Sequence, residues 1–423
     1  MTATRNADIR ILLSEGSSTN VREMISALGP LGYTLDIIDP NPYCLGRFSR
    51  YIHKVYPCPV SGADPVGYLK CVFRLLEQNH YDVLFPANEQ AYLFAWASKQ
   101  LAPRVGLAVA DFAAFQRLQT KSAFMELLDE MGLPHPATQM AHTWPEIERG
   151  AGSCTLPFYV KTSYGTASTG VWRIEQSEDL AKLKRKLDEL GLLDGETEFL
   201  VQAGARGNFE QSHAIFDRGD LMAFHCTRRV LEGAQGGAVV KVGVNRPAVR
   251  RDFEKIGRYL NWHGSLSIDY FWDEASGQPA YIDANPRITE PMNAVVNGIN
   301  LADLQVQLSL GRPIAPRPSA ETALKSHSAL QGLLGVAGRR ASRLDVLREL
   351  ARIVFKQGVY RDSREEMTPV LQDFPSIVPL ISVLGALLIT PNNQRPLALK
   401  TISYYSLGQA IPRVVEMKPV EWI

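Results

Sequence analysis

Short apolar runs alternate with amphipathic stretches over the first hundred residues. Residues 9–13 are an apolar run, followed by a small polar loop over 14–20. Val21, Met24, Ile25 and Leu28 then recur at helical spacing and stop at Gly29-Pro30. Residues 35–38, 54–56 and 82–85 read as further strands, with a helix over 65–79. This alternation predicts a parallel sheet flanked by helices. The first strand–helix turn lacks G-x-G-x-x-G, so the expected domain is Rossmann-like without the dinucleotide fingerprint.

From about 121 to 310 the pattern changes to strand signals separated by glycine-rich turns. An amphipathic helix beginning at Lys121 carries Phe124, Leu127, Leu128 and Met131 on one face and ends at Gly132. A cation at a helix start opposes the macrodipole unless an anion lies nearby. Residues 156–160 form a compact apolar strand that ends in Lys161, and 171–174 form its return strand. The loop between them is rich in Gly, Ser and Thr and offers donors suited to phosphate, although an ordinary hairpin connection has the same composition. It is not a P-loop.

The most informative pattern is a pair of alternating runs, 265–273 and 278–285, around Ala275-Ser276-Gly277. A three-residue loop centred on Ser276 places Asp269 opposite Asp283, with Asn285 on the same face. Leu266, Ile268, Ala280, Ile282 and Ala284 then form the core face. Facing carboxylates repel. A hard cation such as Mg²⁺ between Asp269, Asp283 and Asn285 accounts for them, as does a solvent-facing edge.

Composition narrows the class. The chain has 423 residues, 45 Lys+Arg against 44 Asp+Glu, and 45% apolar residues. That length suggests about three domains. The balanced charge argues against a nucleic-acid partner, and the apolar content against disorder. Five scattered cysteines (Cys44, Cys58, Cys71, Cys154, Cys226) offer neither a disulfide framework nor a zinc motif and predict a reducing compartment. Residues 376–391, broken by Pro379, are too short to span a bilayer and read as a buried helix. A cytoplasmic protein with no membrane partner is expected. A proline-rich linker occupies 311–319, and the remainder reads as mostly helical.

Taken in order, these motifs resemble the ATP-grasp superfamily, in its ATP-dependent carboxylate–amine ligase form. The resemblance runs over residues 8–310 through the Lys121 helix, Lys161 and its flap, the strand 198–202, and Asp269 with Asp283-Ala-Asn-Pro-Arg287. It implies an α/β and α+β chain: a Rossmann-like domain (1–117), an ATP-grasp core (118–310, with a lid over about 135–203 and a central part over about 204–310), the linker, and a mostly helical region (320–423). It also implies ATP bound by Lys121 and Lys161 under a flap carrying Ser163, Gly165 and Ser168. Gln202, Ala203 and Gly204 would hold adenine, and Glu210 would reach ribose or metal. Asp269, Asp283 and Asn285 would bind one or two Mg²⁺ ions, with Mn²⁺ as a substitute.

Arg287, Arg228 and Lys161 would act in catalysis, with Arg229 as an alternative to Arg228, and Asn293 and Asn297 are candidate substrate contacts. The expected partners are a small carboxylic acid and an amine, with a homodimer as the candidate assembly. Two positions depart from the family pattern: Asp283 stands where Glu is usual, and Ala203 where an acidic residue is common. Bicarbonate-using carboxylation or carbamoylation, and an inactive nucleotide-binding regulator, are the alternative functions.

Overall fold

The computed structural model describes residues 6–165, 169–319, 323–340, 342–391 and 402–408. Ser168, expected in the flap, lies outside the described residues. Three sheets organise the chain. The first is parallel, in the order β3-β2-β1-β4, from β1 (Arg10–Leu13), β2 (Thr34–Asp39), β3 (Ile52–Pro57) and β4 (Val83–Phe85). Ile11, Leu13 and Ile37 pack with α1 (Thr19–Leu28), while Leu12, Ile38 and Leu84 pack with α2 (Pro65–Gln78). Both faces are therefore covered, which is why these strands read as continuous apolar runs. Ser18 caps α1 by accepting from the Val21 N–H at 3.0 Å, and Asp64 caps α2, with Pro65 in its first turn.

The second sheet is antiparallel, in the order β5-β8-β6-β7: β5 (Thr138–Ala141), β6 (Phe158–Thr162), β7 (Val171–Ile174) and β8 (Phe199–Ala203). Leu183 and Leu187 of an otherwise polar helix, Ser177–Glu189, pack into its core with Trp144 and Ile147. Gly150 allows helix Trp144–Gly152 to approach, since a Cβ there would lie 3.0 Å from Val201.

The third sheet has seven strands in the order β13-β12-β9-β10-β11-β14-β15. These are β9 (Asn208–Asp217), β10 (Asp220–Glu232), β11 (Ala238–Val244), β12 (Gly264–Asp273), β13 (Gln278–Asn285), β14 (Lys325–His327) and β15 (Ser363–Glu365). The last two come from the C-terminal region, so that region is fused to the central sheet as well as contributing helices Ala329–Arg340, Arg343–Val354 and Ile377–Ile389. The expectation of a buried helix over 376–391 needs correction. Of its described residues only Leu387 is fully buried within the helix, while Ile381 is 56% and Ile389 74% exposed. One side docks on the neighbouring helices and the other remains open.

A buried ion cluster ties the regions together. Lys241 Nζ lies 2.8 Å from Glu290, 3.0 Å from Glu366 and 3.6 Å from Glu23 of α1. The three carboxylates hold the Lys241 ammonium charged against its burial, and burial pushes the Glu23 carboxyl up. None of the five cysteines forms a disulfide. No helix among the described residues is long and apolar enough to cross a membrane.

Candidate active site

The β12–β13 hairpin places Asp269 directly opposite Asp283, with Ser267 opposite Asn285. It reaches this register by a different route from the one the alternation suggests. Asp273 pairs with Gln278, leaving a four-residue connection, 274–277, whose Gly277 takes φ +65°. The register then shifts, because Asp269 faces Asp283 but Tyr270 faces Tyr281, so Ile282 is an extra residue. This bulge inverts the side-chain phase between it and the turn. Tyr281 and Pro279 are buried in place of the expected Ile282 and Ala280, and Ile282 lines the cleft instead. Leu266, Ile268 and Ala284 keep the expected core positions.

Two lysines converge on these carboxylates. Thr120 caps helix Lys121–Met131 by accepting from the Ala123 N–H, and Gly132 ends it at φ 60°. Lys121 therefore occupies the first turn, its Nζ donating to the Gly165 carbonyl at 3.2 Å and standing 3.9 Å from Asp283. Lys161, near the end of β6, is buried and donates to Gln202 Oε1 at 2.6 Å. Burial pushes its ammonium down to about 8, partly opposed by Asp283. Lys121, Lys161, Gly165, Gln202, Ala203, Asp269, Asp283, Asn285 and Arg287 all line one cleft of about 890 Å³. Gly204 is not on its wall; a Cβ there would lie 2.5 Å from the Pro157 carbonyl, so this position serves a close strand approach.

Five other expected site residues face elsewhere. Ser163 turns its hydroxyl inward to Ser122, 2.7 Å away. Glu210 lies on the reverse face of the sheet, where its carboxylate accepts from Arg246 Nε and Nη2 at 2.8 and 2.6 Å and from the Tyr270 hydroxyl at 2.9 Å. Its chain neighbour Gln211 faces the cleft and donates from Nε2 to Asp269 at 3.0 Å. Arg228 pairs with Glu210 in the β9–β10 register and lies 3.9 Å from Glu274, away from the cleft.

Of the two neighbours it is Arg229 that faces the cleft, stacked over Phe209 at 4.2 Å and donating to the Gly236 carbonyl at 2.6 Å. Asn293 and Asn297 are structural. Asn293 bridges His225 (2.9 Å) and Ser326 (2.6 Å), and Asn297 accepts from the Leu324 N–H at 3.0 Å, so both hold the start of β14. Strand parity in β9 and β10 would have separated Gln211 from Glu210 and Arg229 from Arg228, once the register to Asp269 was known.

A divalent cation suits the donors present. Burial, and then Asp283, push the Asp269 carboxyl up to about 7, which leaves charge that a proton or a cation relieves. Among the described residues no cluster of three or more His, Cys, Asp or Glu side chains forms a metal site. The candidate set is two carboxylates and the Asn285 amide oxygen, which fits an ion that keeps water and phosphate oxygens in its shell. By contrast, the first strand–helix turn of the parallel sheet uses its donors internally. Glu15 accepts from the Ser17 and Ser18 N–H groups at 2.7 and 2.9 Å, and Asp39 accepts from the Gly16 N–H at 2.8 Å. A phosphate at that helix start would meet two buried carboxylates.

No protein-family profile matches the chain. It is 21% identical over 305 residues to the arginine-specific carbamoyl phosphate synthase large chain of Geobacillus stearothermophilus, covering 69% of this chain but only 27% of that protein's length. Among solved structures, N5-carboxyaminoimidazole synthetase of Staphylococcus aureus complexed with ADP is 16% identical with a TM-score of 0.59, over 79% of this chain and 85% of that one. L-amino acid ligase of Bacillus licheniformis is 17% identical with a TM-score of 0.56, over 74% and 77%. The likeness to these solved structures shows that the chain has the ATP-grasp fold.

Proposed function

We propose that the chain is an ATP-dependent ligase that joins a small carboxylic acid to an amine and releases ADP and phosphate. The observation that carries this reading is the convergence of Lys121 and Lys161 on the facing pair Asp269 and Asp283 in one cleft. A carboxylate oxygen of the acid attacks the γ-phosphorus of ATP, the β–γ bridge breaks, and ADP leaves. The resulting acyl phosphate is attacked at its carbonyl carbon by the amine nitrogen; phosphate departs and the amine loses a proton to solvent. Catalysis of this kind is mainly positioning and charge neutralisation.

Lys161 and Lys121 would neutralise phosphate oxygens, and Lys161 gains most from a polyanion because burial opposes its charge. Arg287, whose buried Nε has no partner among the described residues, would hold the acid or the transferring phosphoryl group. Asp269, Asp283 and Asn285 would hold Mg²⁺, which supplies Lewis-acid neutralisation of the phosphates when bound. Gln202, Ala203 and Ile282 line the part of the cleft expected to take adenine.

ADP and phosphate release from pooled acids and amines tests the reading. Release that needs both an acid and an amine supports it. Release that needs bicarbonate instead favours carboxylation or carbamoylation, the reading closer to the carbamoyl phosphate synthase likeness. Tight ATP binding without turnover under any mixture would mark an inactive nucleotide-binding protein.

A further inference from the structure

The cleft is built from three parts of the chain whose side chains differ sharply in charge. Among the described residues, every cation and carboxylate on its wall (Lys121, Lys161, Arg173, Arg229, Arg287, Glu232, Asp269, Asp283 and Glu290) lies between residues 121 and 290. The described wall residues from the parallel-sheet lobe and from the C-terminal region carry no charge. Near the start of α1 they are neutral hydrogen-bonding groups. There Asn20 donates to the Ile288 carbonyl at 2.9 Å and accepts from the Glu290 N–H at 2.8 Å, which sets α1 against the segment carrying Arg287. Beyond them apolar side chains predominate, with Leu45 and Phe48 from the loop after β2, Leu334, Val383 and Ile402, and Asn41, Asn88, Gln331 and Ser382 stand among them.

Buried contacts hold these apolar residues in place. Asp373, just before helix Ile377–Ile389, accepts from Arg22 of α1 at 2.6 Å, from the Ser49 hydroxyl at 2.7 Å and from the Arg50 N–H at 2.8 Å. It thereby ties the helix carrying Val383 to the loop carrying Phe48. The 402–408 segment is tied to the same lobe, since the Leu407 N–H donates to Glu89 at 2.7 Å. Its backbone also lies so close that a Cβ on Gly62 would sit 2.2 Å from the Ser406 carbonyl.

We infer that this neutral, mostly apolar wall is the compartment for the body of the acid substrate, and that the body is a large aromatic or branched aliphatic group rather than a phosphorylated one. The inference rests on the ligase reading and adds the substrate class. A phosphate buried here would find no cation among the described residues of this wall, whereas an apolar group gains from leaving water. The carboxylate would point to Arg287, past the neutral donors at the start of α1.

Four amino acids with the same carboxylate and amine separate the alternatives: L-phenylalanine, L-leucine, L-serine and O-phospho-L-serine. They are titrated calorimetrically into the full chain with saturating Mg²⁺ and ADP. Phenylalanine or leucine should bind at least about tenfold more tightly than serine or phosphoserine. Val383→Asp and Phe48→Asp, on different segments of the wall, should each abolish that preference while leaving ADP affinity within about twofold. Serine or phosphoserine binding as tightly as phenylalanine, or no binding by any of the four, would overturn the inference. Selective phenylalanine or leucine binding without any ATP turnover would instead overturn the ligase reading and leave the compartment standing.

Discussion

The two faces of the seven-stranded sheet carry similar residues in opposite states. On the reverse face, Glu210 is saturated by two Arg246 hydrogen bonds and the Tyr270 hydroxyl. On the cleft face, one residue along β9, Gln211 reaches Asp269, whose carboxyl burial and Asp283 push up to about 7. Lys161, which lines the same cleft from β6 of the four-stranded antiparallel sheet, is likewise buried with a neutral partner, Gln202. The reverse face compensates its charges and contributes stability. Asp269 and Lys161 leave charge on the cleft wall uncompensated, which costs stability and readies the site for a charged ligand.

Substitutions on each face test that division, and the largest effects belong to the cleft. Lys161→Ala and Asp283→Ala should each lower phosphate release by about two orders of magnitude or more, with circular dichroism unchanged. Turnover near the wild-type rate in either variant would break the distinction between the faces. Glu210→Ala should do the reverse, leaving Arg246 without its buried partner. Denaturant unfolding should show a loss of about 3 kcal/mol, while turnover per folded molecule stays within about twofold.

A pH series sharpens the contrast. Burial depresses the Lys161 ammonium to about 8, so the free protein loses that charge as pH rises through 8. ATP phosphates favour the charged form. Affinity should therefore be fully present below about 8 and weaken above it, by about tenfold between pH 7.5 and 9.5. The Lys161→Ala variant should lack this dependence in ATP titrations. The smallest effect belongs to Arg228→Ala, on the reverse face 3.9 Å from Glu274, which should change turnover by less than about twofold.

Much of the fold was legible because it rests on local periodicity. The apolar runs of β1, β2 and β4 and the capped helices announce the parallel sheet. The Asp269–Asp283 pairing was legible only through two compensating departures, a longer turn and a bulge at Ile282, which a strict period of two does not encode. Parity in β9 and β10 depends on inter-strand register, so Glu210 and Arg228 were indistinguishable from Gln211 and Arg229 in sequence. Ser163, Asn293 and Asn297 look like ligand-binding groups, yet their partners, Ser122, Ser326 and Leu324, lie on other elements. The same holds for the apolar wall. Phe48 and Val383 are 335 positions apart, and long-range contacts such as those of Asp373 bring their segments together.

The proposed reaction passes through an acyl phosphate formed in this cleft. The direct measurement uses an acid substrate with ¹⁸O in both carboxylate oxygens, ATP, Mg²⁺ and the amine, followed by mass spectrometry of the released phosphate. Attack of the carboxylate on the γ-phosphorus predicts one ¹⁸O atom in each phosphate released. Unlabelled phosphate alongside amide product would contradict the account.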